Sequence, residues 1–431
     1  MFIGQHAQVT FYTNMNLNPI LLIHSLKPRR KENYFILSAV LMCISRLFPN
    51  GTWGAYIFLA ISVLVFLTVL VSTFKSNPFK GAAKFWYSLL VWWTILLTIE
   101  VFFTGTQGLG NTFSRYFASN NLLPNLIPLM GMCYGYAYKY DLRYLFNVLF
   151  LYCIVYIVTS FIALPEILVK GTIIQEIGLE GNGEEYSSMI AEAGTMTSFF
   201  PGFLCLFCKK YLKKKETILF VIACTLQLFV VLYMARRGQT VLMLLNFFLL
   251  WYIYKGMHSR SFVVKSIRVL SIVVIVYLLW SNYDGTLFSI MKERQDVDSR
   301  GSLVDDFAGT MSMKDWIIGR GWFGQYYERW LGEMRAGLEI GFLHLILKGG
   351  LLYFIPYVVT LSLCAYKGLT KSNNYLCRAF GAIAFARIIS LITFGVPYFT
   401  IQEMIVWTGV MICNSPHYLK MTDKEVFQEI R

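Results

Sequence analysis

The chain has 431 residues, of which 56% are apolar, 17% aromatic and only 14% charged. A soluble domain carries about 25% charged residues, so this composition excludes most water-soluble folds and makes lipid the bulk solvent. The net charge of +14 does not point to nucleic acid, because the Lys and Arg residues sit in short clusters between apolar runs, the pattern that orients a membrane protein.

Apolar runs ended by charge, Pro, Gly or Asn predict about twelve transmembrane helices. They fall at 34–49, 53–74, 85–104, 122–138, 144–164, 190–208, 217–234, 240–255, 269–283, 341–366, 379–396 and 401–416. The first is short for a helix that must cross about 30 Å of hydrocarbon at about 1.5 Å per residue. Residues 1–25 lack the basic region and cleavage site of a signal peptide and read as part of the mature chain. The expected fold class is therefore all-α, a polytopic membrane protein in three parts. Residues 1–283 hold the first nine helices, 284–340 form one large external loop, and 341–431 hold the last three helices.

Charge sets the orientation. With Lys27, Arg29, Arg30 and Lys31 inside and the spans alternating, every later basic cluster falls inside as well, down to Lys420, Lys424 and Arg431. The inner side then holds 24 of the 38 basic residues and 6 of the 24 acidic ones, which places both termini in the cytoplasm. The nine cysteines lie almost wholly in apolar stretches, so no disulfide framework is implied. Cys205-x-x-Cys208 has no second pair and reads as packing.

Two external loops exceed a tight turn, 165–189 and 284–340. Loops of more than about 15 residues are usually functional or disordered. Trp316, Trp322, Phe323, Tyr326, Tyr327 and Trp330 argue for a packed lid in the second. The two halves of the chain show no internal symmetry, which weakens a transporter reading.

Three constellations carry chemistry. Arg236 and Arg237 sit in a turn between two apolar runs on the outer side, where positive charge is not expected and needs a carboxylate or an anionic ligand. The guanidinium fork suits phosphate. In the long loop, Arg294, Arg300, Arg320 and Arg329 stand among Asp296, Asp298, Asp305, Asp306 and Asp315, most of them expected as mutual surface ion pairs. Arg320 lies in Gly319-Arg-Gly-Trp-Phe-Gly324. There the glycines either bring backbone N–H groups to a ligand or simply fold the loop back, and the aromatics offer stacking surfaces for sugar rings. Entering the tenth span, Glu339, His344 and Lys348 are ionisable groups on an apolar helix. Glu339 reads equally as a base that takes a proton from a hydroxyl or as the salt-bridge partner of a loop arginine, and His344 as a packing residue or a second-choice catalytic group.

The order of these features resembles the Wzy polysaccharide polymerase and O-antigen ligase superfamily. An Arg-Arg-Gly turn between mid-chain spans precedes a large external loop with Arg300, Trp316 and Gly319, Gly321 and Gly324, then a Leu-rich helix with Gly349-Gly350; the likeness covers roughly residues 220 to 365. It implies a helical bundle of the GT-C-like kind in the bacterial cytoplasmic membrane. The implied activity is inverting glycosyl transfer with no metal or cofactor, the donor being an oligosaccharide on undecaprenyl pyrophosphate. Carried onto this chain, Arg236 or Arg237 holds the pyrophosphate, with Arg300 and Arg320 closing from the loop, and Glu339 activates the acceptor hydroxyl. Glu339 stands where ligases commonly carry a His, which favours a polymerase of O antigen, capsule or exopolysaccharide over a ligase. A chain-length regulator and a flippase are the candidate partners. An O-antigen ligase, and from another class a flippase or transporter of lipid-linked sugar, are the alternatives.

Overall fold

The computed structural model describes residues 53–73, 81–104, 202–233, 237–254, 299–329, 332–338, 340–393 and 401–430, with scattered helical positions within 34–41 and 142–165. Arg236, Glu339, Trp330, Arg294, the loop 165–189 after its first residue, and the predicted spans 122–138 and 269–283 lie outside the described residues.

The described chain is mostly helical. The first helices in chain order are α1 (Trp53–Thr73), α2 (Ala82–Thr104), α3 (Lys214–Tyr233) and α4 (Arg237–Tyr254). After α5 (Ser299–Thr310) and α6 (Met313–Ile318) come β1 (Tyr326–Glu328) and β2 (Glu333–Arg335). Then follow α7 (Gly341–Tyr366), α8 (Tyr375–Thr393), α9 (Ile401–Asn414), α10 (Pro416–Lys420) and α11 (Asp423–Ile430). Three stretches among the described residues are long and apolar enough to cross a membrane: Ala82–Glu100, Gly341–Lys371 and Tyr375–Ile392. They coincide with three of the predicted spans. The helical character agrees with the all-α expectation, to which the loop adds a short antiparallel ribbon of β1 and β2 with Tyr327 opposite Met334. Alternation there is only three residues long on each strand, too short to register as a period.

Packing centres on α7 and α8. α7 lies against α2, α6, α8 and α9, and α8 also packs on α4. Close approach is possible because α8 is built from small residues: Ala379, Ala382, Ala384 and Ala386 are fully buried, the habit of helices that associate in lipid. Direct contacts fix which ends lie together. At one end, here the tail end, Lys367 Nζ donates to Asn414 Oδ1 at 2.7 Å, and Asn374 Nδ2 donates to the carbonyls of Tyr418 and Met421 at 2.7 and 2.9 Å. The Tyr375 amide reaches Asp423 Oδ1 at 2.8 Å and the Tyr211 hydroxyl at 3.0 Å, and Tyr211 in turn donates to Asp423. Tyr254 stacks on Tyr375 at 5.0 Å, with Lys209 and Lys210 over the two rings at 4.2 and 3.8 Å. Three clusters predicted to share one side of the membrane thus meet at one end of the bundle through their described residues, 209–215, 367–378 and 420–430.

At the opposite end, the loop end, residues 299–329 and 332–338 fold onto the start of α7. Leu303, Phe307, Met311, Tyr326 and Leu338 form a second hydrophobic core with Ile340, Leu343, Ile346 and Leu347. Each fully buried side chain of this kind contributes about 1.5–3 kcal/mol. The predicted lid is a folded unit, and the first turns of α7 belong to it.

Candidate functional site

The loop unit is seated in a break in α7. Gly350 has φ 66° and ψ −170° inside the helix, a left-handed conformation that side-chain-bearing residues rarely adopt, and a Cβ there would collide with the carbonyl of Ile317. From the other side Gly319, at φ 77°, packs so tightly that a Cβ would lie 2.6 Å from the amides of Gly349 and Gly350. Donors from the loop and from α2 converge on the carbonyls beside the break. Leu347 O accepts from the Arg320 amide at 2.8 Å, and Gly349 O accepts from the Trp93 indole of α2 at 2.7 Å. Lys348, almost fully buried, donates to the Gly324 carbonyl at 3.0 Å. Trp322 is buried edge-on against Tyr353 at 5.6 Å, and its indole reaches Thr98 Oγ1 at 3.3 Å. Of the two readings of the glycine run, the described geometry is that of a turn folding the loop back onto the helix.

Arg320 is committed to protein acceptors. Its Nε and Nη2 donate to Asp315 Oδ2 at 3.1 and 3.0 Å, Nη1 donates to Gln325 O at 2.6 Å, and Nη2 also donates to Thr310 O. It ties the end of α5, the start of α6 and the glycine turn together, and a diphosphate would have to displace those acceptors to use it. Asp315 closes a capping box at the start of α6, where its amide bonds Ser312 Oγ and its carboxylate accepts from the Ser312 amide. Partial desolvation works to raise its pKa. The Ser312 hydrogen bonds and the Arg320 guanidinium outweigh it, and the carboxyl is held below its ordinary value.

The expected ion pairs of the loop are present for Arg320 with Asp315 and for Arg329 with Asp306 at 3.2 Å. Arg335 pairs with Glu328 at 2.8 Å. Burial and then the Glu328 carboxylate push the Tyr326 hydroxyl up to about 12, and Tyr326 donates to Glu328 Oε2 at 3.2 Å. His344 sits in the first turn of α7, with its Nδ1 3.5 Å from the Leu338 amide, a placement that suits packing.

Arg300 is the second residue of α5, and Arg237 is the first of α4. α4 packs along α8 and ends beside Tyr375 at the tail end. Over its 18 residues it runs about 27 Å, so Arg237 stands toward the loop end. Arg237, Arg300 and Arg320 therefore share that end of the bundle. Both Arg237 and Arg300 open helices, where main-chain N–H groups and the helix dipole favour anions.

Two sets of residues escaped the sequence reading. Glu100 of α2 stands against the glycine turn, its carboxylate 3.2 Å from where a Cβ on Gly321 would lie. Deeper in the bundle, Arg387 of α8 pairs with Glu403 of α9 at 2.5 Å, both side chains 5% exposed. Arg387 Nη1 also donates to Ser390 Oγ at 2.7 Å. Aromatic rings connect this pair with the loop: Trp322 meets Tyr353, Tyr353 meets Tyr357 at 6.2 Å, and Tyr357 meets Trp407 at 5.6 Å. The signal was present, since Glu100 and Glu403 are both charges inside apolar runs. Comparison with models of known protein families, with curated proteins and with solved structures finds no match for this chain.

Proposed function

We propose that this chain is a polysaccharide polymerase of the Wzy kind, with about twelve spans and both termini in the cytoplasm, working at the outer face of the bacterial cytoplasmic membrane. Its donor is a glycan on undecaprenyl pyrophosphate and its acceptor a second lipid-linked repeat unit. The acceptor hydroxyl oxygen attacks the anomeric carbon, the bond from that carbon to the phosphate oxygen breaks, and the diphosphate leaves with the electron pair. Glu339 takes the hydroxyl proton. Arg236 or Arg237, together with Arg300, stabilises the departing charge, and Arg320 holds the loop that brings Arg300 near. His344 stays second choice as a catalytic group.

The observation that supports this reading is the gathering of Arg237 and Arg300 at the end of the bundle where the loop unit is docked. A folded unit seated on one end fits a lid over a site better than it fits alternating access.

The test is elongation of purified lipid-linked repeat units in vitro without divalent metal, comparing the wild type with Arg236→Ala, Arg237→Ala, Arg300→Ala and Glu339→Gln. Losses of about 100-fold or more are expected for Arg300, for Glu339 and for at least one of the paired arginines. Full activity in all four variants overturns the site, and a strict need for divalent metal overturns the mechanism.

A further inference from the structure

We propose that the tail end of the bundle carries a binding site for an anionic phospholipid headgroup, built by Lys209, Lys210 and Arg378 around the stacked rings of Tyr254 and Tyr375. The stretches 209–216, 367–378 and 417–430, which meet at this end, hold ten Lys and Arg against four Asp and Glu. Those four carboxylates are spent on the protein itself. Glu216 Oε2 accepts from the Lys213 amide at 2.8 Å, and Asp423 serves Tyr211 and the Tyr375 amide. Glu425 Oε2 accepts from the Thr422 amide at 2.7 Å, and Glu429 stands 3.9 Å from His417. Among the described residues, Lys209, Lys210 and Arg378 pair with no carboxylate. Aromatic rings hold them in place instead. Lys209 Nζ lies 4.2 Å from the centre of the Tyr254 ring, Lys210 Nζ 3.8 Å from that of Tyr375, and Arg378 Cζ 5.3 Å from the same ring. Arg378 spends one N–H on the Ser372 carbonyl, at 3.4 Å, and its Nε has no hydrogen-bond partner among the described residues.

The level of this cluster selects a lipid over a soluble anion. The stretches Gly341–Lys371 and Tyr375–Ile392 are long and apolar enough to cross a membrane, so the residues between them mark the surface where headgroup phosphates lie. Tyr254 closes α4 at that same level, stacked on Tyr375. From the basic stretch, α3 continues into apolar surface. Lys214, Ile218 and Ile222 follow one another on one face of that helix, all three exposed, with Val221 exposed beside them. Fixed cations at the membrane surface attract anionic headgroups, and an arginine fork beside lysines suits a phosphate. A phosphate held there has apolar side chains next to its acyl chains, a profile that fits an amphiphile and not a nucleotide or free phosphate. The site lies at the end opposite the loop unit and makes no use of the reaction assigned above.

Native mass spectrometry of the full-length protein, titrated in detergent with phosphatidylglycerol or with phosphatidylcholine of the same acyl chains, tests this without any glycan, so its failure is separable from failure of the enzymatic reading. The wild type should hold phosphatidylglycerol about tenfold or more tighter than phosphatidylcholine, and Lys210→Gln/Arg378→Gln should bring the two within about threefold. Lys420→Gln/Lys424→Gln removes the same charge from exposed tail lysines that no ring holds among the described residues, and should keep the preference. A wild type without preference, a Lys210/Arg378 variant that retains it, or an equal loss in the Lys420/Lys424 variant overturns the proposal. Glycerol phosphate in large excess should leave the bound lipid in place; release of the lipid by this soluble phosphate overturns the assignment to a lipid. If Lys210→Gln/Arg378→Gln fails to fold, Lys209→Gln/Lys210→Gln, at two exposed positions, takes its place with the same two outcomes.

Discussion

Removing one partner of the Arg387–Glu403 pair should damage the protein far more than removing both. Each side chain is 5% exposed and the ion contact is 2.5 Å, so Glu403→Leu leaves in the bundle a guanidinium whose hydrogen bond to the neutral Ser390 hydroxyl cannot offset its charge. An uncompensated buried charge costs about 3–5 kcal/mol, and an arginine at the centre of a membrane helix costs about 2.5–3.5 kcal/mol on insertion scales. The two agree near 3 kcal/mol, about a hundredfold in the folded-to-unfolded ratio at 1.4 kcal/mol per decade. Arg387→Met should cost a similar amount by stranding the carboxylate. The double variant Arg387→Met/Glu403→Leu fills similar volume with apolar groups and should recover most of the loss, because the desolvation of two charges disappears with the charges. Reversible unfolding in mixed micelles, read as a double-mutant cycle, supplies the coupling energy. Single-variant costs below about 1 kcal/mol, or a double variant no better than the worse single, would refute the argument that the pair is dry and mutually dependent.

Arg320→Ala should loosen the loop unit by about 2 kcal/mol, since it strands the Asp315 carboxylate and two carbonyls in a partly exposed setting. Limited proteolysis within 311–329 measures this, and Arg320→Lys should not rescue it, because a single ammonium cannot span those acceptors. Asp315 has a folded-state pKa below its unfolded value. Its contribution to loop docking is complete above that unfolded value, about pH 4, and is lost as pH falls through the depressed folded value. Asp315→Asn should flatten that acid dependence in the same proteolysis assay. Asn374→Ala removes a cap on α8, whose Oδ1 accepts from the Cys377 amide at 2.8 Å, and two buried donations to tail carbonyls. A loss of about 2–4 kcal/mol is expected, of which Asn374→Asp should restore only the capping share, as seen in thermal unfolding.

The helices were legible because apolar length is a property of the segment itself. The run predicted at 53–74 is α1 at Trp53–Thr73, and the one at 240–255 is α4 at Arg237–Tyr254. What could not be read were choices made across the fold. Arg320 looks from its neighbours like a ligand-binding arginine in a glycine turn, yet its acceptors include Thr310, ten residues earlier, and the turn's partner is a helix break some thirty residues later. Gly349-Gly350 was visible as a motif. That Gly350 interrupts a helix which continues to Tyr366 depends on Ile317 and Trp93 arriving from elsewhere. Glu403 carries the same signal as Lys348, a charge inside an apolar run, but its partner Arg387 lies sixteen residues earlier on another helix and only the fold brings the two together.

The junction of Tyr211, Tyr375 and Asp423 has a consequence for biogenesis. Tyr211 and Asp423 are 212 residues apart. At a translation rate of about 5–20 residues per second, roughly 10–40 s separate their appearance from the ribosome. Helices threaded early into the bilayer must wait that long, their polar ends bathed in water, before the carboxylate that ties them together exists. Assembly is consequently sealed late, and a nascent chain stalled before residue 423 would hold inserted segments without the knot that joins them.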